Sequence, residues 1–322
     1  MLRAKLGAAI TALALTAGIA LAAAPSTAQA LTTGHTGSGV PALTTIGNTL
    51  YIAWTGSTGT ANAKGLNLGW STDAGKTITK VANGETSPQG EGPALDNDGT
   101  GVYIAWPGSD SAHTLNIAYY NGAGFTCKTT LTGATTTYSP ALAHDDSGHR
   151  YLAWTDLTGH LNVATVDSTG CATTHTMALT NRTTLPQSAA AGPALVFDTS
   201  GSSNLGLVVA WPGTDTAHTI NVASYVGTTT LADQTTVGGA STATASSTSP
   251  VGLTVTTADL YLGYRGTDGN LYLAYSEGCI PTCFSSGTPG PAVASGIGAA
   301  YGPSIWLSYF DATGHLNVSN QF

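Results

Sequence analysis

Five short turns of this 322-residue chain carry an aspartate among small polar residues: Asp110 after Pro107-Gly108-Ser109, Asp156 after Thr155, Asp215 after Pro212-Gly213-Thr214, Asp268 after Arg265-Gly266-Thr267, and Asp311 after Phe310. His113, His160, His218 and His315 follow in four of these turns, while a sixth, Thr55-Gly56-Ser57-Thr58, offers hydroxyls alone. Carboxylate and imidazole groups beside an aromatic ring can hold pairs of sugar hydroxyls while the ring stacks on the apolar face of the sugar. Several such sites of low affinity gain strength together on a polysaccharide or cell surface. The rival reading is local: Asp and Gly suit tight turns for backbone reasons, and an Asn opening the next strand can bond neighbouring backbone. Histidines spread round a ring stand too far apart to share one ion, so neither a metal nor another cofactor is expected.

The turns belong to a phrase that recurs six times, clearest at residues 192–223. There Gly192-Pro193-Ala194-Leu195 is followed by an alternating run ending Val209-Ala210-Trp211, then the turn, then Ile220-Asn221-Val222-Ala223. The aromatic anchors Trp54, Trp106, Trp154, Trp211, Tyr264 and Tyr309 recur about every 50 residues, and no 3.6-residue pattern lies between them. This predicts an all-β, six-bladed β-propeller of four-stranded antiparallel blades. The residues before the anchors are Ala53, Ala105, Ala153, Ala210, Gly263 and Ser308. All are small, as close packing of one blade on the next requires, and the anchors then point to the opposite face as core residues.

Blades are expected to start near Pro41, Pro93, Pro140, Pro193, Pro250 and Pro291, the last because Pro291 precedes Tyr309 by the same interval as Pro193 precedes Trp211. The sixth copy then has no residues left for its outer strand. The segment from Leu31 to Val40 has no blade of its own, so it is expected to supply that strand and close the ring.

Arg3 and Lys5 precede an apolar stretch from Leu6 to Ala24, and Ala28-Gln29-Ala30 has the small residues of a cleavage site. Residues 1–30 therefore read as a secretory signal peptide cleaved after Ala30, leaving residues 31–322 as one secreted domain, expected to be monomeric and not inserted in a membrane. Charged residues make up 8% of the chain, and a net charge of −8 with nine basic residues argues against nucleic acid as a partner. Four cysteines suit an oxidising compartment. A local Cys279–Cys283 staple is the preferred pair, and Cys127 with Cys171 could bridge neighbouring blades if their outer hairpins lean together.

Two short stretches carry a family resemblance. Ser71-Thr72-Asp73-Ala74-Gly75-Lys76-Thr77-Ile78 resembles the Asp-box of sialidase-like BNR-repeat propellers of secreted bacterial proteins, with Ile78 in place of the aromatic residue. The resemblance implies a structural role for Ser71, Asp73, Gly75 and Thr77 rather than catalysis. Arg265-Gly266-Thr267-Asp268-Gly269-Asn270-Leu271-Tyr272 is similar to the repeat of bacterial propeller lectins that bind fucose and related sugars. Sialidase chemistry would require three convergent arginines. Residues 31–322 hold only Arg150, Arg182 and Arg265, whose places in the repeat predict that they do not converge, and the Arg-Ile-Pro motif of that family is absent. The first expectation is a non-catalytic glycan-binding propeller, with Asp110, His113, Asp156, His160, Asp215, His218, Arg265, Asp268, Asp311 and His315 as candidate ligand residues. A sialidase-type glycoside hydrolase is the second, and a protein-binding scaffold the third.

Overall fold

The computed structural model describes residues 30–60, 63–198, 205–237, 247–257, 259–276, 284–285 and 289–320. The candidate staple Cys279–Cys283, and the leader apart from Ala30, lie outside the described residues. Four sheets have four antiparallel strands each. The second blade, for example, runs Ala94–Asn97, Val102–Pro107, Thr114–Tyr120 and Phe125–Thr135 from the axis outward. The remaining sheet is two blades joined by one long strand, Ala30–Ile46. Its first half pairs with the chain's last described strand, His315–Asn320, through Leu31↔Val318 and Thr32↔Asn317. Its second half opens the first blade through Ala42↔Ala53. The innermost strands touch in sequence around the axis, and the sixth touches the first, so six blades close the ring. The N-terminal segment thus completes the last blade, as its spare length implied.

The start of the sixth blade differs from expectation. Pro289–Ala292 is the outer strand of the fifth blade, paired through Asn270↔Ala292, and the sixth blade opens at Gly298–Tyr301. The spacing argument failed because the link between the first two strands varies in length. It is only Gly302 to Ser304 in the sixth blade, whereas Asp198↔Gly206 closes a longer one in the fourth. Pro291 therefore lines no part of the axis, where Pro41, Pro93, Pro140, Pro193 and Pro250 surround a narrow channel of about 80 Å³.

Each blade interface has its own apolar cluster, organised by one anchor. Trp211 meets Leu161, Val163 and Leu185 of the third blade, and Trp154 meets Leu115, Ile117 and Leu131 of the second. All four Trp anchors are fully buried, which settles their role as packing rather than ligand stacking. The small residues face the other way, toward the next blade: a Cβ on Gly263 would lie 2.9 Å from Ile297 Cγ2, and Ser308 Oγ donates to the Pro41 carbonyl. Anchor and small residue are adjacent in a strand, so the two-residue period turns one dipeptide into one half of each of two interfaces.

At the rim, Cys127 on the outer strand of the second blade is disulfide-bonded to Cys171 in the hairpin of the third, with Cα atoms 5.2 Å apart. The outer hairpins do lean together, with the Met177 amide donating to Thr129 Oγ1 across the same seam. Replacing both cysteines by alanine is expected to lower stability by roughly 2–4 kcal/mol, because a closed loop of this length restricts the unfolded chain. Thermal unfolding of the double variant beside the wild type checks this, and an unchanged midpoint would refute it.

Candidate functional site

The turns between second and third strands gather on one face, here the upper face, together with the segments that lead into each innermost strand. Five of them are bonded to the segment that follows their own blade's outermost strand. The carbonyls of His113, Gly159, His218, Gly269 and Gly314 accept from the amides of Thr136, Ala189, Ser247, Val293 and Gly37.

Within the turns the aspartates are engaged in their own backbone. Asp110 Oδ1 accepts from the Ala112 and Thr114 amides at 2.9 and 3.1 Å, and Asp215 is held in the same way by Ala217 and Thr219. Asp268 accepts from the Asn270 amide and the Tyr272 hydroxyl, which together lower its pKa. Burial works against ionisation of Asp311, yet bonds from Thr313, Asn317 and the His315 amide outweigh it and hold the carboxyl at about 2. Asp156 has the same partners in Thr158, Asn162 and His160, and its pKa is likewise lowered. Each aspartate thus shapes its turn.

The four histidines fall into two classes that spacing alone did not separate. His113 and His218 have φ of 51°, the left-handed position that Gly159, Gly269 and Gly314 occupy in the other turns. His160 and His315 come one residue later and begin the third strand. There the Thr158 hydroxyl donates to Asp156 Oδ1 at 2.6 Å and stands 3.0 Å from His160 Nδ1. The threonine proton goes to the carboxylate, so Nδ1 donates to the threonine oxygen, and the tautomer with Nδ1–H leaves Nε2 as an acceptor. Asp311, Thr313 and His315 repeat this relay in the sixth blade, at 2.6 and 2.7 Å.

His160 lies in a groove of about 460 Å³ at the outer side of the ring, formed with Thr184, Leu185 and Pro186 of its own blade and Thr229 and Thr230 of the fourth. A ring nitrogen, the hydroxyls of Thr229 and Thr230 and the apolar Pro186 ring together suit a sugar, which has donors on its rim and an apolar face. Among the described residues none of the three arginines meets another. Buried Arg150 binds Asp96 and the Asn97 carbonyl, Arg182 binds Asn162 Oδ1 and the Gly133 carbonyl, and Arg265 binds the Val293 carbonyl. Arg265 ends the strand that leads into its turn, and the described residues hold no convergent guanidinium cluster for a carboxylate substrate.

The Ser71–Thr77 stretch is a folded turn at an outer hairpin of the first blade. Ser71 Oγ donates to Asp73 Oδ1 at 2.7 Å and accepts the Gly75 amide, while Asp73 accepts the Thr77 amide. The Thr77 and Ser71 bonds hold Asp73 at about 2. Gly75, at φ 85°, approaches Val318 of the sixth blade. Its residues line neither the groove nor the axial channel and cavity.

On the axis, the upper mouth of the channel widens into a cavity of about 440 Å³ whose lining includes Glu91, Gln89, Tyr138, Ser249, Ser295 and Phe310. Burial pushes the Glu91 carboxyl up to about 8. Glu91 lies in the link from the first to the second blade, outside the repeated phrase.

No family model matches the chain, and no curated protein matches it. Solved structures do. A Hadza microbial sialidase, Hz136, aligns over 88% of this chain at 14% identity with a TM-score of 0.60, and the chain spans 65% of that sialidase. The SapL1 lectin in complex with α-methyl fucoside aligns over 85% of this chain and 89% of its own length at 13% identity, with a TM-score of 0.59. The six-bladed fucose-recognising lectin of Aleuria aurantia aligns over 91% of both chains at 12% identity, with a TM-score of 0.57. At these identities the likeness is one of fold.

Proposed function

We propose that this chain is a secreted, non-catalytic carbohydrate-binding propeller, delivered outside the cell by cleavage after Ala30 and acting as a monomer on glycans or cell-surface polysaccharide. The reading rests on the groove at His160, whose ring is held at Nδ1 by the Thr158–Asp156 relay and whose other lining residues bring hydroxyl and apolar groups from two blades. The matching relay at His315 provides a second acceptor of the same kind in the sixth blade. Fucose-binding lectins share the fold, which makes fucosylated glycans the first ligands to test. The aspartates act in this scheme by aiming the histidines and turns, with the remaining polar turns as a wider contact surface. The Ser71–Thr77 turn is proposed as an Asp-box inherited from BNR-repeat propellers. The hydrolase alternative lacks convergent arginines among the described residues.

The site is tested by retention on a panel of immobilised glycans. His160→Ala is expected to weaken retention about tenfold, the worth of a hydrogen bond to a positioned ligand hydroxyl. His149→Ala, an exposed residue paired with Asp145 in the turn on the opposite face, should change nothing. Equal retention of wild type and His160→Ala would remove the groove from the account.

A further inference from the structure

The cavity at the upper mouth of the axis is separate from the rim groove, and its chemistry differs. Its walls come from the segments entering several blades: Ser38 and Val40, Gln89 to Glu91, Tyr138, Ser249 and Pro250, Ala294 to Gly296, and Phe310. Among the described residues Glu91 and Tyr138 are the titratable groups in that lining, and none of the lining residues is cationic. Asp311 and His315 flank the lining residues Phe310 and Gly314 without lining the cavity themselves. Glu91 has no hydrogen-bond or ion-pair partner among the described residues, and burial alone moves its pKa. Glu91 is half-buried, and a carboxyl with reduced hydration and no counter-charge is disfavoured in its ionised form, a cost that a ligand carrying the missing charge removes. The volume, about 440 Å³, is in the range of small-molecule pockets.

We propose that this axial cavity is a second binding site, one that receives a primary ammonium group on a ligand of monosaccharide size, with the Glu91 carboxylate as its partner. The hydroxyls of Ser38, Tyr138, Ser249 and Ser295 take the ligand's remaining polar groups. An anion finds no cation in the lining, and a neutral sugar meets Glu91 in its protonated form and gains no ion pair from it. Because Glu91 is mostly protonated at neutral pH, binding of an ammonium releases that proton to solvent. Affinity therefore rises with pH through about 8 as long as the ligand's amine keeps its proton.

The test uses 6-amino-6-deoxyglucose, whose aliphatic amine stays charged at these pH values, with glucose as the uncharged control. Calorimetric titration of the full mature chain is expected to show binding of the amino sugar, at least tenfold tighter at pH 8 than at pH 6, and none of glucose. Glu91→Gln should lose at least tenfold. Should that variant fold poorly, the wild-type Glu91 carboxyl followed by carbon NMR gives the same decision, because bound amino sugar must pull its titration well below 8. Equal binding of glucose, no binding of the amino sugar, an undiminished Glu91→Gln variant or an unmoved Glu91 titration would each overturn the proposal. None of these results bears on His160, so the rim reading stands or falls separately.

Discussion

Replacing Trp211 with alanine is expected to destabilise the protein by about 3–5 kcal/mol, the usual cost of truncating a fully buried tryptophan. Its ring fills the space between the third and fourth blades against Leu161, Val163, Leu185, Leu195 and Val209. Blade sheets are held by their own backbone ladders and cannot slide inward to refill the gap, so the cavity persists. Leu185 also lines the rim groove, so the variant should lose glycan retention together with stability. Set against a total stability of about 5–15 kcal/mol, the loss places the domain near unfolding. Leu157→Ser, at a side chain 55% exposed in the adjacent turn, should change stability by less than about 0.5 kcal/mol. Denaturant unfolding of the two variants provides the comparison. Similar midpoints would mean that the anchors do not carry the interfaces.

Arg150→Met should cost nearly as much, about 3–5 kcal/mol, by a different mechanism. The Arg150 guanidinium donates to Asp96 Oδ2 at 2.7 Å, donates to the Asn97 carbonyl, and lies 3.4 Å from the centre of the Tyr103 ring. With 4% and 7% of their side chains exposed, Arg150 and Asp96 form a buried pair across the second and third blades. Removing one partner strands the other, whereas Asp96→Asn combined with Arg150→Met leaves no buried charge and should regain most of the loss. The variant also acquires a pH dependence. His144 Nδ1 stands 2.7 Å from Asp96 Oδ1, and that hydrogen bond raises the histidine pKa despite burial and the nearby Arg150. A raised folded pKa means that the histidine's contribution is complete below its unfolded value of about 6.5 and fades as pH rises through the folded value. Arg150→Met should accordingly be least stable at alkaline pH. A flat profile, or a double variant no better than the single one, would contradict this assignment.

Much of this architecture could be read from the chain because one dipeptide does two jobs. A small residue followed by a large ring, repeated about every 50 residues, states both faces of each blade interface, and Ala210-Trp211 does in the structure what it implies in sequence. The exchange of the N-terminal strand was legible as a surplus of chain at one end and a deficit at the other. The sixth inner strand was not, since Gly298–Tyr301 lacks the Pro-Ala-Leu phrase and a tight turn shortens its distance to Tyr309. The Cys127–Cys171 bridge depends on how far the outer hairpins lean, which no local pattern records. Counting histidines per turn merged His113 with His160, although a single residue of offset puts one in a left-handed turn and the other on a strand. The surroundings of Glu91 could not be read from the sequence, because they are set by what converges on the axis from distant segments, and a repeat describes only what each copy has in common.

A glycan array probed with residues 31–322 at neutral pH, with and without calcium, tests the account most directly. The account predicts retention on one family of sugars, fucosylated glycans first, unchanged by calcium and with the printed sugars left intact. Absence of retention at high protein concentration, or release of a terminal sugar from the array, would contradict a non-catalytic glycan-binding propeller and favour a scaffold or a hydrolase respectively.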